Sequence, residues 1–477
     1  MPQTQKRRPF STASTSASTS RSRSRSRSIS ASSGSQKTKK QKKNAVLSTM
    51  NTRQSTKQTN ELFNRVCTIG SDLCLALTVF RIDLLNFFDN FVYFNNAESE
   101  TKRIGAESVN GIVTRITYEK GDITCHAILK SAQKSNSDNL AYEFLAGQCV
   151  NMLRSKFPCF VETYGLFYYK DDTVWKKCTT NRKITTEALQ NALKLTQTID
   201  FDTLCYNSKR AVILVENIPS AISMYDILHS DTFEEFANTD LLGCLYQIYY
   251  VLSAINVSFT HYDLHDDNVV LYPLPPGKYI TYNYTLPNRR TITFHSKYIV
   301  KIIDYGRCFF VGGMYNSLDI FNRVNSMIQT RNKNLRDIGF YSMSKEAKNQ
   351  SQIRSHKRNI SSDLRLLKVY IYKKLSTSTF VRHNGPLKTL RNVLSEIVYG
   401  VGTMPRSEIY GTRENLDQTT YQLYNPIFNV CQAEQALRSL FPMFEPMNTA
   451  HYQQSGYTNL GNLRIDGIND MQFEMTG

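Results

Sequence analysis

The stretch "HYDLHDDNVV", residues 261–270, places two histidines, three aspartates and an asparagine directly before a pair of valines. Three chemistries fit such a cluster. His261 and His265 stand four apart, as zinc-binding histidines on a helix do. However, the segment has poor helix propensity and lacks the glutamate of H-E-x-x-H. A solvated loop is the plainest reading. Phosphoryl transfer explains more of the residues. It needs a carboxylate near the acceptor hydroxyl and oxygen ligands for Mg²⁺ on the nucleotide phosphates. H-x-D-x-x-x-x-N supplies Asp263 as the carboxylate and Asn268 as one ligand. A D-x-G after a strand, here "IIDYG", supplies Asp304 as a second, with Gly306 behind it. Carbonyl and carboxylate oxygens suit so hard a cation.

These residues need elements to hold them. "DLLGCLYQIYYVLSAI" precedes the loop, and Leu241, Leu245, Ile248, Leu252 and Ile255 predict a helix with one buried face. After the loop, two alternating runs around "LPNRR" predict a long hairpin ending at Asp304, which would bring Asn268 and Asp304 together. Upstream, "GIVTRITYEKGDITCHAILK" reads as two strands about the turn "EKGD". "NLAYEFLAGQCVNMLRSKF" reads as a helix stopping before Pro158. "CFVETYGLFYY" and "RAVILVEN" read as further strands. A polar, partly helical insert lies between them, at about 170–208. Residues 360–375 and 386–400 read as two more helices.

The 477 residues carry a formal net charge of +18, very unevenly placed. Residues 1–60 hold 14 Lys and Arg and no acidic residue, so the remaining 417 hold only +4. The basic character belongs to a low-complexity segment with an Arg-Ser repeat at 20–28, and its composition predicts disorder. The segment could contact RNA or other acidic partners, direct nuclear import, or have its serines phosphorylated by the protein itself. The near-neutral remainder argues against reading the high pI as a nucleic-acid-binding domain. No apolar run is long enough to span a bilayer and no secretory leader is visible, so an intracellular location is expected. None of the ten cysteines forms C-x-x-C, and no Cys/His group has zinc spacing. The aromatic run at 87–94 is expected to pack in a core.

With these elements in order, the chain resembles eukaryotic-type protein kinases. It is most similar to the serine/threonine kinase-like proteins of large eukaryotic DNA viruses. "HAILK" resembles V-A-I-K and gives Lys130 the role of binding ATP phosphates. Glu143 in "AYEF" resembles its ion-pair partner. "AVILVEN" resembles the strand into the hinge, placing Glu216 and Asn217 near the adenine. "HYDLHDDNVV" resembles H-R-D-L-K-x-x-N-V, and "DYG" resembles D-F-G. Asp363 in "SSDLRLL" resembles the buried aspartate that steadies the catalytic loop. Gly111 and Val113 match the final G-x-V of the glycine-rich loop.

The resemblance implies an α+β, bilobal protein kinase-like fold. Its parts would be a tail at 1–60, a helical extension at 61–103, an N-lobe at 104–218, a C-lobe at 219–445 with a hairpin insert at 271–300, and a loosely held C-terminal tail at 446–477. It implies ATP and Mg²⁺ as cofactors. Asp263, Lys130 and Asn268 would be catalytic and Asn268 and Asp304 metal-binding. Gly111, Val113, Lys130, Glu143, Glu216, Asn217 and His265 would bind the nucleotide. The acceptor would be a protein hydroxyl, in a host cell nucleus or a virion. The chain departs from the pattern at several points. Ala106 and Ser108 occupy two glycine positions, with Gly105 displaced by one. Tyr262 replaces an arginine, Ile128 stands where a small residue is usual, and no A-P-E follows Asp304. His265 replaces a lysine, as in aminoglycoside- and choline-type phosphotransferases. A small-molecule kinase of the same fold and a pseudokinase that only binds are therefore the alternatives.

Overall fold

The computed structural model describes residues 81–104, 111–120, 123–134, 136–181, 183–196, 198–329, 335–340, 353–399 and 426–476. The Arg-Ser segment, residues 61–80 and the glycine positions 105, 106 and 108 lie outside them. The architecture is mixed α/β. Antiparallel sheet dominates the first part and helices the second, compatible with the α+β expectation.

The first sheet has six strands: β1 (Lys102–Arg103), β2 (Gly111–Lys120), β3 (Ile123–Ala132), β4 (Thr163–Tyr169), β5 (Leu193–Thr196) and β6 (Ala211–Glu216), ordered β1-β2-β3-β6-β4-β5. Alternation along β3 sorts its side chains between two cores. Cys125, Ala127 and Leu129 pack with Phe88, Phe91 and Phe94, so these three phenylalanines of the aromatic run are core as expected, while Tyr93 is exposed. Ile128 and Ala132 join the main core on the opposite face, the face from which Lys130 also projects. The polar insert is helical at Asp172–Thr180 and Thr186–Ala192, yet its "LKLT" becomes the sheet's sixth strand, with Leu195 paired to Phe167.

Helix α1 (Leu140–Asn151) packs on the main-core face. Asn139 caps it by accepting the Tyr142 N–H, and its amide donates to the carbonyls of Leu204 and Ile338. One side chain thus closes the helix start and ties it to two distant segments. Glu143 falls in the first turn, where the helix dipole favours a carboxylate.

Helix α2 (Leu241–Ala254) differs from its expectation. The apolar stripe is buried, but so is every residue from Leu241 to Leu252. Tyrosines make the second side compatible with burial. Tyr246 donates to Glu434, Tyr249 to the Asp363 carbonyl and Tyr250 to the Thr285 carbonyl. Each such bond contributes about 1 kcal/mol net, and losing it underground costs more.

The remaining strands are β7 (Ile222–Ser223), β8 (Phe259–Thr260), β9 (Val269–Pro273), β10 (Lys278–Thr285), β11 (Thr291–Ser296), β12 (Tyr298–Ile302), β13 (Phe309–Phe310), β14 (Thr458–Ile465) and β15 (Gln472–Met475). The hairpin forms between β10 and β11. It is the pairing of β9 with β12, however, that joins the two chemical segments: Val269 lies opposite Ile302, and the Ile303 N–H donates to the Asn268 carbonyl. The C-terminal region is not loosely held. The boundary expected at 446 falls inside helix Phe441–Gln454, and β14 then runs parallel to β10 with β15 beyond it. Leu463 and Ile465 alternate into the core, which secures an otherwise polar strand.

Candidate functional site

The loop 261–268 is fixed from below by one carboxylate. Asp363 accepts the backbone N–H of His261 at Oδ2 and of Tyr262 at Oδ1, both at 2.8 Å. Burial pushes its carboxyl up to about 7, against the pull of those two N–H groups. Tyr262 adopts φ +66° and Asp304 φ +68°, an unusual region for residues with side chains. The strain at Tyr262 is held by the Asp363 bond and by its hydroxyl, which donates to the Lys357 carbonyl at 2.6 Å. His261 is wholly buried, and its Nε2 lies 2.9 Å from the Ile303 carbonyl. It serves the loop's framework, while His265 faces the cavity, so the two do not form the zinc pair their spacing allowed. His265, Asp266 and Asp267 do bring ligand-type atoms within 4.8 Å of one another.

On β3, Lys130 Nζ lies 2.7 Å from Glu143 Oε1 on α1. Val113 is directly across the sheet from Lys130, and Gly111 is opposite Ala132 at the start of β2. A Cβ placed on Gly306 would lie 3.5 Å from Asp304 Oδ1, 3.8 Å from Asp138 Cβ and 3.9 Å from Glu143 Oε2. Asp304, Asp138 and Glu143 therefore surround one glycine. Burial pushes the Glu143 carboxyl up to about 7; Lys130 pulls it down and Asp304 and Asp138 push it further up. Burial also opposes the Asp304 charge, but Lys130, Arg307 and His261 hold that carboxyl below its usual range.

Asn268 is buried and donates through Nδ2 to the Asp263 carbonyl at 2.9 Å, which leaves Oδ1 as the atom to offer a cation. Asp263 is held by two guanidinium groups. Arg307 Nη1 meets Oδ2 and Arg365 Nη1 meets Oδ1, each at 2.9 Å, with His265 Nε2 4.0 Å from Oδ2. Arg307 continues to Asp138 at 3.4 Å. These groups line a cavity of about 820 Å³, shared with Tyr370, Lys373, Lys374 and His229.

No protein-family model matches this chain, and no curated protein matches it.

The structure thus brings Asp263, Asn268, Asp304 and His265 to one cavity, with Lys130 and Glu143 beside it. Glu216 is placed differently. Its carboxylate lies in the interior, 3.0 Å from Arg154 and 3.4 Å from Lys301, and it accepts the Glu162 N–H. Asn217, the next residue, is buried. Sequence reasoning missed Asp138, Arg307 and Arg365. Arg307 directly follows "DYG" and Arg365 lies two residues past Asp363, so both sat beside motif residues without a spacing rule to mark them.

Proposed function

We propose that the protein is an ATP- and Mg²⁺-dependent phosphotransferase of the bilobal protein kinase type, transferring the γ-phosphoryl group to a serine or threonine hydroxyl of a protein. The observation that carries this is the joint presence, about one cavity, of the Lys130–Glu143 pair, Asp304 and the Asp263/Asn268 loop. Their side chains suit the reaction's charges. Six carboxylates (Glu143, Asp138, Asp263, Asp266, Asp267 and Asp304) face five cations (Lys130, Arg307, Arg365, Lys373 and Lys374), so a bound cation would complete the balance. Asn268 Oδ1 and the Asp304 carboxylate would hold Mg²⁺, which supplies charge neutralisation at the phosphates. Lys130, fixed by Glu143, binds phosphate oxygens. Asp263 orients the acceptor hydroxyl and takes its proton at a carboxylate oxygen.

A second reading has its own observation. Both oxygens of Asp263 are engaged by arginines, which occupies the atoms that would meet an acceptor hydroxyl and favours a protein that binds nucleotide without transferring its phosphoryl group. Incubation with γ-labelled ATP and a panel of proteins and small alcohols separates the readings. Label on protein that Asp263→Asn removes supports the proposal. Label on a small alcohol alone makes the protein a small-molecule kinase. Mg-ATP binding with no transfer makes it a pseudokinase.

A further inference from the structure

The cavity has two charge poles on different elements. Carboxylates come from the loop 263–267 and from Asp304, whereas Arg365, Lys373 and Lys374 come from the helical segment that follows Asp363. That segment is a π-helix over Leu366–Ile371 running into an α-helix over Tyr372–Thr377. Arg365, Val369, Tyr370, Lys373, Lys374 and Thr377 of this segment all line the cavity. The cations are differently committed. Arg365 is fixed by Asp263 and by the Tyr370 hydroxyl, which it meets at 3.1 Å. Lys374 lies 4.9 Å over the Phe233 ring, and Lys373 is exposed; neither has a carboxylate partner among the described residues. Of the carboxylates, Asp263 already faces Arg307 and Arg365, Asp304 faces Lys130 and Arg307, and Asp266 and Asp267 flank His265.

We infer that the 365–374 segment is an acceptor subsite for an acidic peptide, so that the hydroxyl phosphorylated at Asp263 is flanked by carboxylates. This rests on the phosphotransferase reading and adds its substrate class. A peptide crossing the cavity presents its hydroxyl to the loop and its anionic flank to Lys373 and Lys374. Opposite charges draw such a peptide in and like charges repel basic ones. The Arg-Ser repeat at 20–28 is on this ground a poor acceptor, despite its serines.

The test uses the full chain and three labelled serine peptides: one flanked by glutamates, one by alanines, and the Arg-Ser repeat itself. Binding is read by fluorescence anisotropy and transfer by kcat/KM. The glutamate peptide should be preferred over the alanine peptide by about tenfold, as several weak exposed ion pairs allow. Lys373→Glu should abolish or invert that ratio and Lys373→Arg should keep it. Lys373 is exposed, so an unchanged melting temperature accompanies both variants. Equal binding of the glutamate and alanine peptides, or preference for the Arg-Ser peptide, overturns the inference. Selective binding of the glutamate peptide, lost in Lys373→Glu, without transfer to any acceptor, upholds the subsite and overturns the phosphotransferase reading instead.

Discussion

Two ion networks in this molecule use the same residue types to opposite ends. In the interior, Arg154 meets Glu162 at 2.6 Å and Glu216 at 3.0 Å, and Lys301 meets Glu216 at 3.4 Å. Two cations face two carboxylates, all four side chains are almost wholly buried, and the charges balance. This network joins β6 of the first sheet to β12, the strand leading to Asp304. Around the cavity the count is uneven, the side chains are partly exposed, and about 820 Å³ of space adjoins them. A balanced, closed network has no use for a ligand and acts as a fastening. A network with surplus negative charge and an open side is where a cationic ligand lowers the free energy.

The largest expected effect tests the open network. Asp263→Asn should lower phosphoryl transfer about a thousandfold while Mg-ATP still raises the melting temperature, because Asp263 acts on the acceptor. Wild-type turnover in that variant would leave the loop without a catalytic role. Next is the closed network. Arg154→Ala leaves two buried carboxylates with only Lys301 between them and should cost about 3 to 5 kcal/mol in denaturant unfolding. A loss under 1 kcal/mol would mean that the interior network is not a fastening. Third, Asp304→Ala should remove most of the stabilisation, about 2.7 kcal/mol, that Mg-ATP gives at a hundredfold excess over Kd. Undiminished stabilisation would show that the carboxylate surplus does not hold the metal.

The open network was largely legible in the sequence and the closed one was not. Asp263, Asn268 and Asp304 sit within short motifs whose spacing carries the chemistry, and Lys130 lies near the end of a recognisable strand. Arg365 reaches Asp263 across 102 residues, an approach that depends on how Asp363 anchors the loop. No local pattern records such a meeting. The resemblance of "AVILVEN" to a strand into the hinge puts Glu216 near the adenine, but it does not reveal that every residue of β6 is buried and that the Glu216 carboxylate turns inward to Arg154 and Lys301. The helix α2 stripe was real, yet its tyrosines concealed the second buried side. Strand β14 was missed because Asn and Gly dilute the alternation that Leu463 and Ile465 complete.

The smallest expected effect separates the two networks by pH. Burial pushes the Glu143 carboxyl up to about 7 from an ordinary value of 4.5, so it is protonated below 7 and fully paired with Lys130 only above. Mg-ATP affinity should therefore rise with pH between about 6 and 8, by up to about tenfold, in the part that Glu143→Gln flattens. The free protein should respond in the opposite sense. Between 4.5 and 7 the folded state binds the extra proton at Glu143, so stability falls as pH rises through that window, and Asp363, also pushed up to about 7, adds to the fall. Lys301 of the closed network, lowered to about 8 by burial, acts at higher pH and with the other sign: above 8 the unfolded chain binds the extra proton, so stability rises toward the ordinary lysine value of 10.5. Cysteines held above their ordinary range by burial and histidines held below theirs by burial titrate in the same windows with the opposite sign, so each contribution is read as the difference in melting temperature between variant and wild type. Lys301→Met should remove the rise above pH 8 and leave the fall below 7, whereas Glu143→Gln should weaken the fall and leave the rise. Variants that each altered both limbs would show that the two networks titrate as one.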